Sequence, residues 1–304
     1  MTQKTQVTDA LKRKVIATIK EIEILTNLPN PTIRRILGQG AKNGELTRLS
    51  KGVYTLKTKD GKTASIIKCA DALKEVKNLV NEGAQFDMIF LDVPYIIKGA
   101  RGGNRNLTKY KLITAQEFED FMLDIVQLTR NNKTPIFFMF SASKSNKKEL
   151  QQYYNALIKS GLKPCGFPSQ FRKLYKNGKP FAFCGIPLIE WIFTFSLSGE
   201  VNFTLEKEYR FKKDSSYQTA KPTELLEAII NASTSEYDTI LDMFAGSGST
   251  AKASVKTNRN ILSYEIDEQQ AEKIQQEIKR LIDSKKQAFA DLRSLFSGQL
   301  ELAF

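Results

Sequence analysis

Two short motifs constrain this chain most: Leu91-Asp92-Val93-Pro94-Tyr95 in its first third and Leu241-Asp242-Met243-Phe244-Ala245-Gly246-Ser247-Gly248-Ser249-Thr250 in its last. Each closes a strongly apolar run, which predicts a buried strand with a loop at its carboxyl end. Open α/β sheets bind ligands outside the carboxyl ends of strands, where the winding direction reverses. Two such loops far apart in sequence can therefore face each other across one site. Gly246 and Gly248 suit a sharp turn from strand to helix with close backbone approach to a ligand. Asp242 precedes that loop, and Glu265 ends the next predicted strand, where a carboxylate can accept from both hydroxyls of a ribose. A glycine loop of this kind also serves NAD-type dinucleotides, but the order of the motifs and the Asp92 loop speak against that here.

The apolar pattern predicts strands at 65–68, 87–91, 135–140, 188–197, 238–242 and 260–264, and helices at 71–81, 117–129 and 147–160. A helix follows the glycine loop, and a last one carries Ala271, Ile274, Ile278 and Leu281 on one face. Residues 96–112 are too polar for a core and follow the Asp92 motif directly. Arg101, Arg105 and Lys109 make that loop a candidate nucleic-acid clamp, with Tyr110 available for stacking. The basic and aromatic stretch 171–183, with Arg172 and Lys173, suits a path for phosphates and unstacked bases.

A net charge of +13 points to a polyanionic partner. It is concentrated at the amino end, where residues 1–60 carry twelve Lys or Arg against five acids. That stretch reads as three helices and a hairpin: Leu11, Val15, Ile16 and Ile19 form one helical face, 22–28 a short second helix, and Ile33, Ile36 and Leu37 the buried face of a third. Arg34 and Arg35 then point outward, and 45–56 alternates like a two-stranded wing carrying Arg48 and Lys51. The pattern resembles a winged helix-turn-helix, which puts its third helix in the major groove and its wing on the backbone.

The complete absence of histidine excludes catalytic triads, His-ligated zinc and imidazole bases, so any proton acceptor is a carboxylate, a carbonyl or water. Cys69, Cys165 and Cys184 show no metal-ligand spacing, their odd count argues against a disulfide framework, and no metal is expected. Pro164-Cys165 lacks the flanks of a cytosine-C5 nucleophile and reads as structural. With no long apolar run and no signal-peptide pattern, a soluble cytoplasmic protein is expected, without a membrane partner.

Asp92-Val93-Pro94-Tyr95 resembles the (Asp/Asn/Ser)-Pro-Pro-(Tyr/Phe/Trp) signature of DNA amino-methyltransferases, and 242–250 resembles their S-adenosylmethionine loop. Lys221-Pro222-Thr223-Glu224-Leu225-Leu226 is similar to the family's Lys-Pro segment, and 67–73 to its Gly-Asp-Ala-Leu segment. Catalytic motif first and cofactor motif last is the permuted order of the beta class. The resemblance implies a Rossmann-like α/β methyltransferase sheet with helices on both faces over 61–284, a winged-helix module over 1–60, and a carboxyl-terminal helix and tail over 285–304. It implies S-adenosylmethionine as cofactor, with Phe244, Ala245, Gly246, Ser247 and Gly248 at its methionine and sulfonium end and Asp242 just before them. Glu265 takes the ribose, Asp71 the adenine end, and Lys221 the methionine side.

The implied reaction is methylation of adenine N6 in flipped-out DNA bases, of the kind found in restriction-modification. Asp92 and the carbonyl of residue 93 accept from the amino group, and Tyr95 stacks on the base. Val93 stands where the family has proline, so the loop loses a fixed φ and gains an N–H. The alternatives are cytosine-N4 methylation, or a winged-helix regulator whose methyltransferase domain binds cofactor without turnover. Residues 176–218 leave little room for a separate recognition module, so relaxed sequence specificity is expected. The tail, Gln299-Leu300-Glu301-Leu302-Ala303-Phe304, follows a flexible Ser297-Gly298 and resembles the peptide by which bacterial DNA enzymes dock on the replicative sliding clamp.

Overall fold

The computed structural model describes residues 2–14, 16–42, 46–50, 53–56, 65–81, 83–93, 113–140, 147–174, 177–179, 182–183, 186–187, 189–212 and 220–300. Its amino-terminal region runs α1 (Gln3–Lys14), β1 (Ile16–Thr18), α2 (Ile19–Thr26), α3 (Asn30–Lys42), β2 (Leu46–Ser50) and β3 (Val53–Leu56). The three strands form an antiparallel sheet in the order β1-β3-β2. Ile16 thus lies on a strand, not on the first helix as its spacing predicted. The β-branched pair Ile16 and Thr18 sits opposite Thr55 and Val53, where such side chains are favoured. Val7, Leu11, Ile19, Ile22, Ile33 and Leu37 close a small core of their own, and Arg34 and Arg35 are exposed on α3.

The rest of the chain builds a second, larger sheet. Its elements begin β4 (Ser65–Cys69), α4 (Ala72–Asn81), β5 (Met88–Leu91), α5 (Ala115–Ile125), β6 (Ile136–Phe140) and α6 (Lys147–Lys159). There follow β7 (Lys163–Pro164), β8 (Ser169–Leu174), β9 (Ala182–Phe183), β10 (Ile186–Pro187), β11 (Ile189–Ser196) and β12 (Glu208–Lys212). The last are α7 (Thr223–Ser233), β13 (Thr239–Asp242), α8 (Ser249–Lys256), β14 (Asn260–Glu265) and α9 (Glu268–Leu300). The order across the sheet is β12-β8-β11-β6-β5-β13-β14-β4, with β7 also on β11, while β9 and β10 form a separate two-stranded pair. From β6 to β4 the strands are parallel; β11 runs antiparallel to both β6 and β8.

Every residue of β5 and β6 is buried, as expected of parallel strands covered on both faces. Alternation divides them between two cores. Ile89, Leu91, Ile136 and Phe138 meet α4, α5 and α6 on one face. Met88, Phe90, Phe137 and Met139 join the core of α7, α8 and α9 on the other. The chain leaves β5 through α5 toward β6, and leaves β13 through α8 toward β14, in opposite directions along the sheet. Right-handed crossovers in opposite directions put their helices on opposite faces, so the boundary between β5 and β13 is the switch point.

Two departures from the sequence pattern matter for the site. The stretch expected to track nucleic acid begins as strand β8, with Phe171 fully buried and Arg172 ion-paired to Glu208 of the neighbouring β12 at 2.5 Å. Glu208 also pairs with Arg210, and Phe171, buried in the sheet, cannot stack on a base. α9 runs unbroken through residue 285 and through Ser297 and Gly298 to Leu300, so the expected flexible joint is helical and Gln299 and Leu300 belong to the helix. No helix among the described residues is long and apolar enough to cross a membrane.

Candidate active site

Asp242 is the last residue of β13 and pairs in register with Phe90 of β5, so the loops that follow these strands leave the sheet side by side. The loop after β13 turns at Gly246 (φ +54°) and Gly248 (φ +74°), both in the left-handed region where glycine alone is unstrained. Gly248 has a second reason to lack a side chain: a Cβ there would lie 2.6 Å from Cγ2 of Ile274 on α9. The helix after the loop can therefore sit close to α9. The Phe244 N–H donates to Asp242 Oδ1 at 3.0 Å, and the Gly246 N–H donates to Glu265 Oε2 at 2.8 Å. Two carboxylates from adjacent strand ends thus brace the loop from either side.

Both carboxylates are buried. Burial pushes Asp242 up to about 7, with the Asp92 and Glu265 charges adding to the shift and hydrogen bonds from the Phe244 N–H and the Thr250 hydroxyl opposing it. Burial likewise raises Glu265, against N–H donors at Asp267 and Gly246. Asp71 follows β4, the strand beside β14, and its Oδ1 accepts from the Leu73 N–H at 3.0 Å at the start of α4. That bond makes Asp71 a helix cap as well as a residue at the edge of the crevice.

The other loop begins at Asp92. Lys221 Nζ lies 2.6 Å from Asp92 Oδ2 and 3.0 Å from Glu190 Oε2, its side chain only 8 % exposed, against 26 % for Asp92 and 15 % for Glu190. The ammonium donates a hydrogen bond to Asp92 and forms an ion pair with Glu190, and the two interactions offset its cost of burial. Lys221 reaches this position because Pro222 ends the preceding segment and opens α7. Glu190 stands on β11 beside Trp191, which is in register with Phe140 at the carboxyl end of β6, so it projects from the same end of the sheet as Asp92. Val93 is buried in the core with Phe121 and Met243, which accounts for an aliphatic residue at this position. The rings of Phe244 and Phe121 lie 5.7 Å apart and tie the glycine loop to α5.

The geometry is a glycine loop, a buried carboxylate one strand over, and an acceptor carboxylate across a topological switch point, and the sequence comparison decides what it is. A family of DNA methylases of the N6/N4 type matches residues 53–276. The chain belongs to that family. No curated protein matches this DNA methylase in sequence. Among solved structures, the M1.HpyAVI complex with SAM is 19 % identical with a TM-score of 0.51, over 70 % of this chain and 99 % of that one. The putative DNA modification methylase TTHA0409 from Thermus thermophilus, complexed with S-adenosyl-L-methionine, is 13 % identical with a TM-score of 0.51, over 73 % and 95 % of the two chains. The cytosine-N4-specific PvuII DNA methyltransferase is 12 % identical with a TM-score of 0.51, over 75 % and 96 %. At these identities the likeness is one of fold.

Of the residues singled out in the sequence of this methylase, Asp92, Val93, Lys221, Asp242, Phe244–Gly248 and Glu265 gather at the switch point, with Asp71 at its edge. Pro94, Tyr95, Arg101, Arg105, Lys109 and Lys51 lie outside the described residues, as do 301–304. Arg48 is on β2 and Lys173 on β8. Glu190 was missed. It sits inside a predicted core strand and belongs to no motif, and only the third dimension brings it to Lys221. Among the described residues, no cluster of Cys, Asp and Glu could hold a metal ion.

Proposed function

We propose that this DNA methylase transfers a methyl group from S-adenosylmethionine to the N6 amino group of adenine in DNA, with relaxed sequence specificity. The observation that carries the reading is the convergence of Asp92, the Phe244–Gly248 loop and buried Glu265 at one switch point. The site fits the cofactor in two respects. The glycine turn exposes backbone close to the crevice, and Glu265 retains lone pairs beyond those given to Gly246 and Asp267, enough to accept from ribose hydroxyls. The cofactor is S-adenosylmethionine, which supplies an electrophilic methyl on a sulfonium sulfur.

An exocyclic amino group is a poor nucleophile because its lone pair is delocalised into the ring. Asp92 Oδ and the carbonyl of Val93 accept its two hydrogens and hold the nitrogen pyramidal, with its lone pair aimed at the methyl group. This is positioning and electrostatics and needs no imidazole base. The leading Asp in the 92–95 motif favours adenine over cytosine-N4 by resemblance.

In the same reading the amino-terminal module is a winged helix. Its α3 offers Arg34 and Arg35 to DNA, and its strands β2 and β3, with Arg48 on β2, form the wing. Labelled methyl transfer from S-adenosylmethionine to DNA, wild type against Asp92→Ala, tests the proposal. Transfer by the first and none by the second is expected; transfer by neither would end it.

A further inference from the structure

We propose that Met243 is a positioning residue for methyl transfer. Its side chain shares one core with that of Val93, and through that core it holds in place the carbonyl that accepts from the substrate amino group. This role rests on the function proposed above.

A valine leaves its own φ free, so the loop at Val93 needs its restraint from elsewhere. Burial supplies it. Val93 and Met243 are each 1 % exposed and belong to one hydrophobic cluster, together with Phe121 of α5. The strand ladder explains how they meet. β5 and β13 run parallel, with Ile89 paired to Leu241 and Phe90 to Asp242. Side chains alternate along each strand, so Ile89, Leu91 and Val93 follow one face, Leu241 and Met243 follow the same one, and all five lie in that core. The apolar face therefore continues past the end of each strand, to where the two loops leave the sheet.

Met243 is itself firmly placed. Before it stands Asp242, which is buried and accepts from the N–H of Phe244, the residue after it, at 3.0 Å. The Phe244 ring in turn lies 5.7 Å from that of Phe121. Val93 thus packs in a core anchored to the start of the glycine loop, and its β-branched side chain, stiff at χ1, passes the restraint to its backbone. The carbonyl of residue 93 and the loop assigned to the cofactor then keep a fixed separation. Transfer from a sulfonium to an amino nitrogen depends on it, since a misplacement of about 1 Å can cost roughly a hundredfold in rate.

The experiment compares wild type with Met243→Ala, Met243→Leu, Val93→Ala, the double alanine variant and Leu128→Ala, all well below their unfolding temperatures. Leu128 is the control. It is fully buried in the same core, but its carbonyl accepts from the Phe86 N–H ahead of β5, at the other end of the sheet. Methyl transfer to DNA and hydrogen exchange at the Asp92 and Val93 amides are measured. In Met243→Ala we expect kcat to fall by about tenfold or more, with KM for S-adenosylmethionine within about threefold, and exchange at the two amides to quicken by about tenfold or more. Met243→Leu conserves volume and should keep kcat within about twofold of wild type. The double variant should fall no more than about twofold below the worse single one, because both act through one restraint. Leu128→Ala should lower Tm and change neither kcat nor exchange. Met243→Val and Leu128→Val serve as a milder pair where an alanine variant fails to fold. Wild-type kcat in Met243→Ala, an equal loss in Leu128→Ala, or losses that multiply in the double variant would each overturn the inference. If the wild type transfers no methyl group, the functional reading fails, and exchange alone decides whether Met243 restrains Val93: equal rates in the Met243 and Leu128 variants would show that it does not.

Discussion

Asp92 and Glu265 sit in one crevice, and the proposed reaction gives them different work that substitution separates. Asp92→Ala should abolish methyl transfer while leaving S-adenosylmethionine affinity within about threefold by calorimetry, because in the proposed reaction Asp92 accepts from the base and not from the cofactor. Glu265→Ala should instead weaken cofactor binding by about tenfold or more, removing both the ribose acceptor and the brace on the Gly246 N–H. Gly248→Ala places a Cβ against Ile274 and forces a positive φ on alanine, which should cost about 2–4 kcal/mol in urea unfolding. Trimming Ile274 in the same chain should return the steric part of that loss only.

Asp242 gives a pH dependence with a definite sign. Its carboxyl is raised from an ordinary 3.8 to about 7 in the fold, so between those values the folded state holds a proton that the unfolded state releases. Stability therefore falls as pH rises through this window, and the full penalty, up to about 4 kcal/mol, applies above it. Asp242→Asn keeps an acceptor for the Phe244 N–H and removes the titration. Its stability relative to wild type should rise between pH 5 and pH 8, and a constant difference across that range would contradict the assignment.

At the level of elements, helix and strand periods carried most of the fold, because β5, β6, β13 and β14 are buried on both faces and leave uninterrupted apolar runs. Strand β8 was not legible, since Arg172 and Lys173 stand side by side between Phe171 and Leu174 and break the alternation expected of a strand. Glu208 on β12 comes within reach of Arg172 only after the two strands pair. Phe171→Ala should accordingly cost about 3–5 kcal/mol of stability and leave the DNA affinity of the folded protein unchanged. Strand β1 was hidden for a similar reason: three residues give no measurable period, and only pairing with β3 makes them a strand. The catalytic motif and glycine loop were readable because their chemistry is local. Glu190 was not, because only the fold brings it to a lysine in another segment.

For the molecule as a whole, a net charge of +13 and exposed Arg34 and Arg35 predict DNA binding dominated by phosphate contacts. Affinity should fall steeply with salt, and replacing either arginine by alanine should reduce the slope of log K against log salt by about one. The carboxyl terminus offers a separate test. If 299–304 docks on a replicative sliding clamp, the last turn of α9 must open, and truncation after Ser297 should remove clamp capture without changing methyl transfer. The central claim concerns the reaction itself. The most direct measurement is nucleoside analysis by mass spectrometry of DNA incubated with the full chain and S-adenosylmethionine. N6-methyldeoxyadenosine, absent with Asp92→Ala, is the predicted product, and N4-methyldeoxycytidine, or no methylated nucleoside at all, would contradict the account.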